Sequence, residues 1–426
     1  MSSKHYDIVI IGGSVAARIA AALLAKQGRR VLFLRNREAK APVWFHSSLF
    51  LEKLLGVLGA RSCFVAQQPI QVISERARVT LSSDIPLDEE LTREFGEAGR
   101  PVNLWLEELR TQGIKLEEFF WENGGLPWPS LKARGRLKLF SLKRRINWQE
   151  LEAPVSKSID RLPVAARSFL TDLFQGLSLT RTSRLSYATA AMIWAQALRP
   201  ENLKEPDFSE MLNKRFEQFH GAKGQIDDLQ SLAYNGSRWT GGQFKSGGAF
   251  TADSFLLGDK QWLDKFTPLE KNRLALPESP SVYRTSNLAG QLSPLLASRI
   301  ICGGELPLRM AIETHEDELQ GLIMGNSEGT ESSIRHQIET ILPFAKYRLS
   351  EMIAASETAT HINAGQGSEI KAGQAKALTR LTLRIDKNLY CADRTVLLPE
   401  MGAAGAALLG WTLAENLGHK NDKAKV

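Results

Sequence analysis

The apolar positions of this chain change period within its first forty residues. Asp7–Ile11 is an almost unbroken apolar run of strand length, and Val31-Leu32-Phe33-Leu34 is another. Between them Val15, Ile19 and Leu23 share one helical spacing and Ala16, Ala20 and Leu24 the next, so the pattern predicts strand, helix, strand, with the helix stopping near Gly28. Further on, Phe45–Leu58 reads as a helix through Leu49, Leu51, Leu54, Leu55 and Leu58. Pro69–Leu81 reads as a hairpin in which Ile70, Val72 and Ile73 face Ala77, Val79 and Leu81 across Ser74-Glu75-Arg76. Pro86–Gly113 and Leu151–Leu198 look helical, with Ala191, Trp194, Ala195 and Leu198 on one spacing. Leu212, Phe216 and Phe219 predict a helix ending at His220-Gly221. A strand is expected to begin at Gln225–Leu229, and two more at Trp239–Phe244 and Ala249–Leu257. Arg309–Thr314 with Leu319–Met324 predicts a second hairpin, and Ile334–Ser350 a helix interrupted at Pro343. Asn388–Asp393 reads as a strand entering a turn, followed by a small-residue helix from Gly402.

The first strand ends at Gly12-Gly13-Ser14-Val15-Ala16-Ala17. A glycine-rich turn between a parallel strand and a helix presents backbone N–H groups at the positive end of the helix dipole, where a dinucleotide pyrophosphate is held. In the G-x-G-x-x-G/A spacing the three small positions are Gly12, Ser14 and Ala17. Arg35 stands at the end of the second strand, where an acidic residue ordinarily accepts the ribose hydroxyls. With Arg37 nearby, a cation there suits a 2′-phosphate, so NADP is a second candidate ligand.

Length and composition narrow the class. A chain of 426 residues exceeds one ordinary core, so two domains are expected. Hydrophobic content of 43% and charged content of 24% are those of a globular protein, and the net charge of +7 does not demand nucleic acid. Cys63, Cys302 and Cys391 are isolated and odd in number, which argues against a disulfide framework or zinc site and for a reducing setting. Seven scattered histidines offer no metal spacing, and no Ser-His-Asp, Walker or deaminase pattern is present. Ile8–Ala25 is interrupted by Gly12-Gly13 and Arg18, so it is neither a signal peptide nor a membrane span. A cytoplasmic protein, with peripheral membrane contact open, is the expectation.

That contact would fall in residues 119–148. Phe119-Phe120-Trp121 and Trp128 precede Lys132, Arg134, Arg136, Lys138, Lys143, Arg144 and Arg145, interleaved with Leu137, Leu139, Phe140 and Leu142. Such a stretch anchors at an anionic membrane, clamps an acidic protein partner, or is a solvated basic edge.

Two distant blocks complete the first motif. Asn388-Leu389-Tyr390-Cys391-Ala392-Asp393, then Leu397–Ala407 with Gly402-Ala403-Ala404, resembles the C-terminal pattern of the FAD-dependent phytoene desaturase and amine oxidase superfamily: a strand ending Gly-Asp, a loop, and a glycine-alanine helix. Leu212–Gly258 resembles the family's middle block, with Leu229 on the strand beside the adenine. Ile334–Phe344 resembles its late helix. The resemblance implies an α/β fold of glutathione reductase and amine oxidase type, a Rossmann-like FAD-binding domain interleaved with an α+β substrate domain. The FAD-binding parts would be residues 1–62, 206–280 and 385–418, the substrate or cap parts 63–205 and 281–384, and 419–426 a polar tail. It implies FAD held by Gly12 to Ala17, Asp393 at the ribityl–pyrophosphate region, and Gly402, Ala403 and Ala404 at the pyrimidine end. Hydride transfer between an apolar or amine substrate and flavin would follow, with catalytic residues unassigned.

The departures from the family pattern cluster on cofactor contacts. Arg35 replaces the ribose acid, Ala41-Pro42 stands where Gly-Gly is usual, and Ala392 replaces the glycine before Asp393. An arginine facing the AMP ribose forfeits one charge-assisted hydrogen bond of about 1.5–3 kcal/mol. A flavin-fold protein that has lost FAD and serves as a structural or regulatory partner is therefore the alternative function.

Overall fold

The computed structural model describes residues 4–35, 47–59, 63–128 (except 75 and 83), 135, 138–139, 141–142, 146–203, 207–259, 262, 281–289, 296–304, 308–315, 318–325, 331–341, 346–352, 378, 381, 383–393 and 397–418. The chain opens with β1 (Lys4–Ile11), α1 (Val15–Lys26), β2 (Val31–Arg35), α2 (Leu49–Leu58), β3 (Phe64–Ala66), and the hairpin β4 (Ile70–Ile73) and β5 (Arg78–Leu81). Helices α3 (Leu87–Phe95), α4 (Gly99–Glu122), α5 (Val164–Ser178) and α6 (Tyr187–Ala197) follow, then β6 (Glu201–Leu203) and α7 (Asp207–Gln218). The second half holds β7 (Ala222–Gln225), β8 (Leu229–Tyr234), β9 (Trp239–Phe244), β10 (Ala249–Leu257), β11 (Ser281–Ala289), β12 (Arg299–Cys302), β13 (Leu308–His315) and β14 (Glu318–Gly325). It closes with α8 (Glu331–Ile341), β15 (Lys346–Met352), β16 (Arg384–Asp386), β17 (Leu389–Cys391) and α9 (Gly402–Gly418).

Two sheets organise these elements. The first runs β16-β17-β10-β1-β2-β7, with β9 on the start of β10 and β8 on β9. Its centre is parallel: β1 pairs with β2 and β10, β2 with β7, and β10 with β17. The strand order reverses between β1 and β10, which places a ligand crevice at their carboxyl ends. Both strands are buried on both faces, which is why Ile8–Ile11 and Phe255–Leu257 read as continuous apolar runs. The second sheet, β15-β11-β14-β13-β12-β4-β5, is antiparallel except where β12 meets β4.

Side chains finish what the ladders leave open. Strand β5 is a sheet edge, and the α3 carboxylates cover it: Thr80 N–H donates to Glu90 Oε2 at 2.8 Å and Arg78 N–H to Glu94 Oε2 at 3.0 Å. In the first sheet buried Asn388 takes the Trp239 N–H on Oδ1 at 3.0 Å and donates Nδ2 to the carbonyls of Trp239 and Asp253 at 2.7 and 2.9 Å. One amide thus joins β9, β10 and the turn before β17 where no strand pairing reaches.

Several expectations change. Helix α4 continues through Phe119-Phe120-Trp121, because Phe119 and Phe120 fall on its buried face. The strand expected to begin at Gln225 is split: β7 ends there, a 3-10 turn spans Ile226–Asp228, and β8 starts at Leu229. Past Pro343 the chain is strand, not helix, since Lys346–Met352 pairs antiparallel with β11, a partner remote in sequence. The two hairpins form with the expected partners, Val72 opposite Val79 and Ala311 opposite Leu322.

Candidate functional site: the glycine turn at the carboxyl edge of the parallel sheet

The turn after β1 is built as a dinucleotide cradle is built. Gly12 has φ +108°, a conformation that favours glycine, and Ser14 caps α1 by accepting the Ala17 N–H on Oγ at 3.3 Å. Ala17 permits close packing, since a side chain added at Gly258 would lie 2.8 Å from Ala17 Cβ. Ser14 Oγ also donates to the Ala392 carbonyl at 3.1 Å, which ties the first motif to the last. Helix α9 lies against α1 closely enough that a Cβ on Gly410 would meet the Ala16 carbonyl at 2.7 Å.

A residue outside the motif faces this turn. Gly258 and Asp259 follow β10, and Gly13 N–H donates to Asp259 Oδ2 at 2.7 Å. The contact is close: a Cβ on Gly12 would stand 2.6 Å from the same oxygen. The Ser14 N–H and the Arg18 guanidinium also stabilise the charged carboxylate, and Arg18 is held in place by donating Nε to the Gly13 carbonyl at 2.7 Å. Burial, with the nearby Asp393 carboxylate second, outweighs them and pushes the Asp259 carboxyl up to about 7. The signal for Asp259 in the sequence is one acid two residues past a buried strand, which resembles any turn aspartate.

The other candidate residues fall unevenly around this centre. Asp393 is buried after β17 and close enough to Asp259 for their charges to interact. Gly402 starts α9 with φ +52°, and Ala403 and Ala404 are buried behind it. Val15 is half-buried and Ala16 buried in the first turn of α1. Leu229 is buried at the start of β8. Arg35 donates Nη1 to Asn213 Oδ1 on α7 at 2.8 Å and lies 5.8 Å from the Phe33 ring. Arg37 and Ala41-Pro42 lie outside the described residues.

A bound dinucleotide would ask this turn for free N–H groups and a net positive surround. As folded, the Gly13 and Ser14 N–H groups serve Asp259, so the donors a pyrophosphate would need are already taken. These residues do not fit FAD. The Asp259 carboxyl group itself takes the helix N-terminus.

Among the described residues all three cysteines are buried, and none is joined in a disulfide. The one grouping with metal-ligand proximity among the described residues is His5, Asp7 and Asp253, at the opposite edge of the sheet. There Asp7 already accepts from the Arg30 N–H at 2.8 Å and from Arg30 Nη2 at 3.3 Å, so it reads as a strand-start ion pair.

Another acid with a raised carboxyl lies buried in the helical layer. Glu117 on α4 accepts the Leu49 N–H at the start of α2 at 3.0 Å and Gln196 Nε2 at 3.0 Å. Burial pushes its carboxyl up to about 7 against these hydrogen bonds. Glu117 and Asp259 thus hold protons in the folded state that the unfolded chain, with ordinary values of 4.5 and 3.8, releases. Their contribution to stability is full below the ordinary carboxylate range and is lost as pH rises through about 7. The melting temperature is therefore expected to fall between about pH 5 and pH 8. Glu117→Gln, which keeps an acceptor for Leu49, should reduce that slope in a melting series; an unchanged slope would remove Glu117 from the account.

The doubly wound parallel sheet with its glycine turn, joined to a second sheet and a helical layer, defines a two-domain protein of dinucleotide-fold class. Comparison with protein-family models finds no match, and comparison with curated proteins finds none. Solved structures do match. A single-site mutant of putrescine oxidase, from a structure-based redesign of its cofactor binding, superposes with a TM-score of 0.58 at 13% identity, over 98% of this chain and 99% of that one. Cyclohexylamine oxidase from Brevibacterium oxydans IH-35A gives 0.55 at 11% identity, over 98% and 99%. A Rab GDI from Plasmodium falciparum gives 0.51 at 10%, over 82% and 90%. The fold is that of the flavin amine oxidases, in its glutathione reductase type of two-domain architecture. At such identities the likeness speaks for fold alone.

Proposed function

We propose that this chain carries the flavin amine oxidase fold without flavin chemistry and serves as a structural or regulatory partner of another molecule. The observation that carries this reading is the Asp259 carboxylate on the Gly13 N–H, which fills the anion seat from within. Arg35, bonded to Asn213 where an acid would hold the ribose, supports it. Purified without chelators or denaturants, the protein should show no flavin absorption, and calorimetric titration with FAD should give no binding heat. Stoichiometric FAD in the untreated protein would overturn the proposal.

A second reading, an FAD-dependent oxidoreductase acting on an apolar or amine substrate, is favoured by Asp393 and Gly402 lying at the same sheet edge as the turn. It requires Asp259 to leave the Gly13 N–H. The same spectrum separates the two. NADP in place of FAD, read through Arg35 and Arg37, would appear as heat in a parallel titration.

A further inference from the structure

A basic stretch joins α4 to the turn at Trp148, far in sequence from the glycine turn. It contains Lys132, Arg134, Arg136, Lys138, Lys143, Arg144 and Arg145, and no acidic residue occurs from Asn123 to Gln149. These seven cations equal the entire net charge of +7, so the rest of the chain is balanced. The excess charge of the chain is therefore carried by one short segment of its sequence.

The described residues of that segment are helical and sorted by face. Gly135, Lys138, Leu139 and Leu142, spaced i, i+3, i+4 and i+7, are all exposed. Leu139 is 71% and Leu142 69% exposed, and among the described residues only Val164 is a more exposed large hydrophobic. Ser141 points the other way and is buried: it accepts from Trp148 Nε1 at 2.5 Å, and its carbonyl accepts the Ile146 N–H at 2.9 Å. Trp148 in turn packs on Phe119 and Phe120 of α4, with ring centroids 5.7 and 6.2 Å away. The inner side is thus fastened to the body while the outer side shows two leucines beside lysine. A solvated basic edge would account for the cations but not for leucines on the outward face.

We propose that this face docks on an anionic lipid surface, with Leu139 and Leu142 entering the headgroup and acyl boundary, Lys138 beside them meeting lipid phosphate, and the net positive charge of the segment's sequence adding to the attraction. An interfacial site needs a shallow apolar projection rimmed by positive charge, and each Lys or Arg near such a surface adds about 1 kcal/mol of attraction. A bilayer takes that combination without a shaped groove, and no helix among the described residues is long and apolar enough to cross it. Attachment would be peripheral and salt-sensitive.

The test is co-sedimentation of the full-length protein with vesicles of phosphatidylcholine alone and of phosphatidylcholine mixed with phosphatidylserine. Binding is expected only to the mixed vesicles, and it should weaken as salt rises. The double substitution Leu139→Asp and Leu142→Asp, at exposed positions and checked for an unchanged circular dichroism spectrum, should weaken binding to mixed vesicles by at least about tenfold. Three results would each overturn the proposal: no binding to mixed vesicles, equal binding to both kinds, or binding indifferent to the double substitution. The last, joined to tight binding of soluble polyglutamate, would assign the segment to an acidic protein instead. None of these outcomes depends on whether FAD is bound.

Discussion

Asp259→Ala is expected to bind FAD where the parent protein does not. In the parent, the Gly13 N–H is committed to Asp259 Oδ2 at 2.7 Å, the Ser14 N–H acts on the same carboxylate, and Arg18 balances its charge. Removing the carboxylate frees two N–H donors and leaves Asp393 as the remaining acid beside the turn. A hydrogen bond to a charged acceptor contributes about 1.5–3 kcal/mol, so two freed donors correspond to a gain on the order of a hundredfold or more in affinity for a pyrophosphate. Asp259→Asn is the informative companion. Its amide oxygen still accepts from Gly13, so the turn should stay closed and FAD should stay unbound, although the charge is gone. Calorimetry on the three proteins reads the difference directly. If the alanine variant ignores FAD as the parent does, Asp259 is not what closes the seat, and the Arg35 bond to Asn213 becomes the obstacle to remove next.

The Rossmann-like half was legible because its elements carry their own punctuation. Ile8–Ile11, Gly12, Ser14 and Val31–Leu34 state strand, turn, cap and strand within thirty residues, and nothing remote overrides them. The second sheet was harder. Lys346–Met352 follows a helix and a proline, and only its pairing with Ser281–Ala289 makes it a strand. That pairing joins segments far apart in the chain, which no local periodicity reports.

The site divides in the same way. Gly12, Ser14 and Ala17 could be named because they sit in a motif whose geometry is local to one turn, and Asp393 because its block resembles the family's C-terminal pattern. Asp259 could not, because its role exists only where β10 ends beside β1, with Ile11 opposite Leu257 in a parallel register. From that register Gly258 and Asp259 are delivered onto the glycine turn. The departures at Arg35 and Ala392 suggested an altered cofactor seat, whereas Asp259, whose carboxyl meets the turn, lies just past β10 and 246 positions from Gly13.

The largest stability effect is expected at Gly113, and its sign is decided by two opposed magnitudes. In a helix interior Gly→Ala gains about 0.8–1 kcal/mol from backbone propensity. At Gly56 on α2 that gain stands alone, since an added Cβ meets nothing within 4 Å and the residue is exposed, so Gly56→Ala should stabilise. Gly113 lies where α4 crosses α6. There an added Cβ would stand 2.1 Å from the Ala191 carbonyl oxygen and 2.9 Å from Ala195 Cβ. The oxygen belongs to helical backbone and cannot rotate away, so the axes must separate. Separation would loosen the neighbouring contacts, including the 2.9 Å hydrogen bond from buried Trp194 Nε1 to the Leu106 carbonyl. Overpacking against backbone costs about 3 kcal/mol or more, which exceeds the propensity gain and leaves Gly113→Ala destabilised by roughly 2 kcal/mol. Urea midpoints of the two single alanine variants should therefore move in opposite directions. A Gly113→Ala protein as stable as the Gly56→Ala protein would mean that the α4 and α6 axes are not held together at this contact.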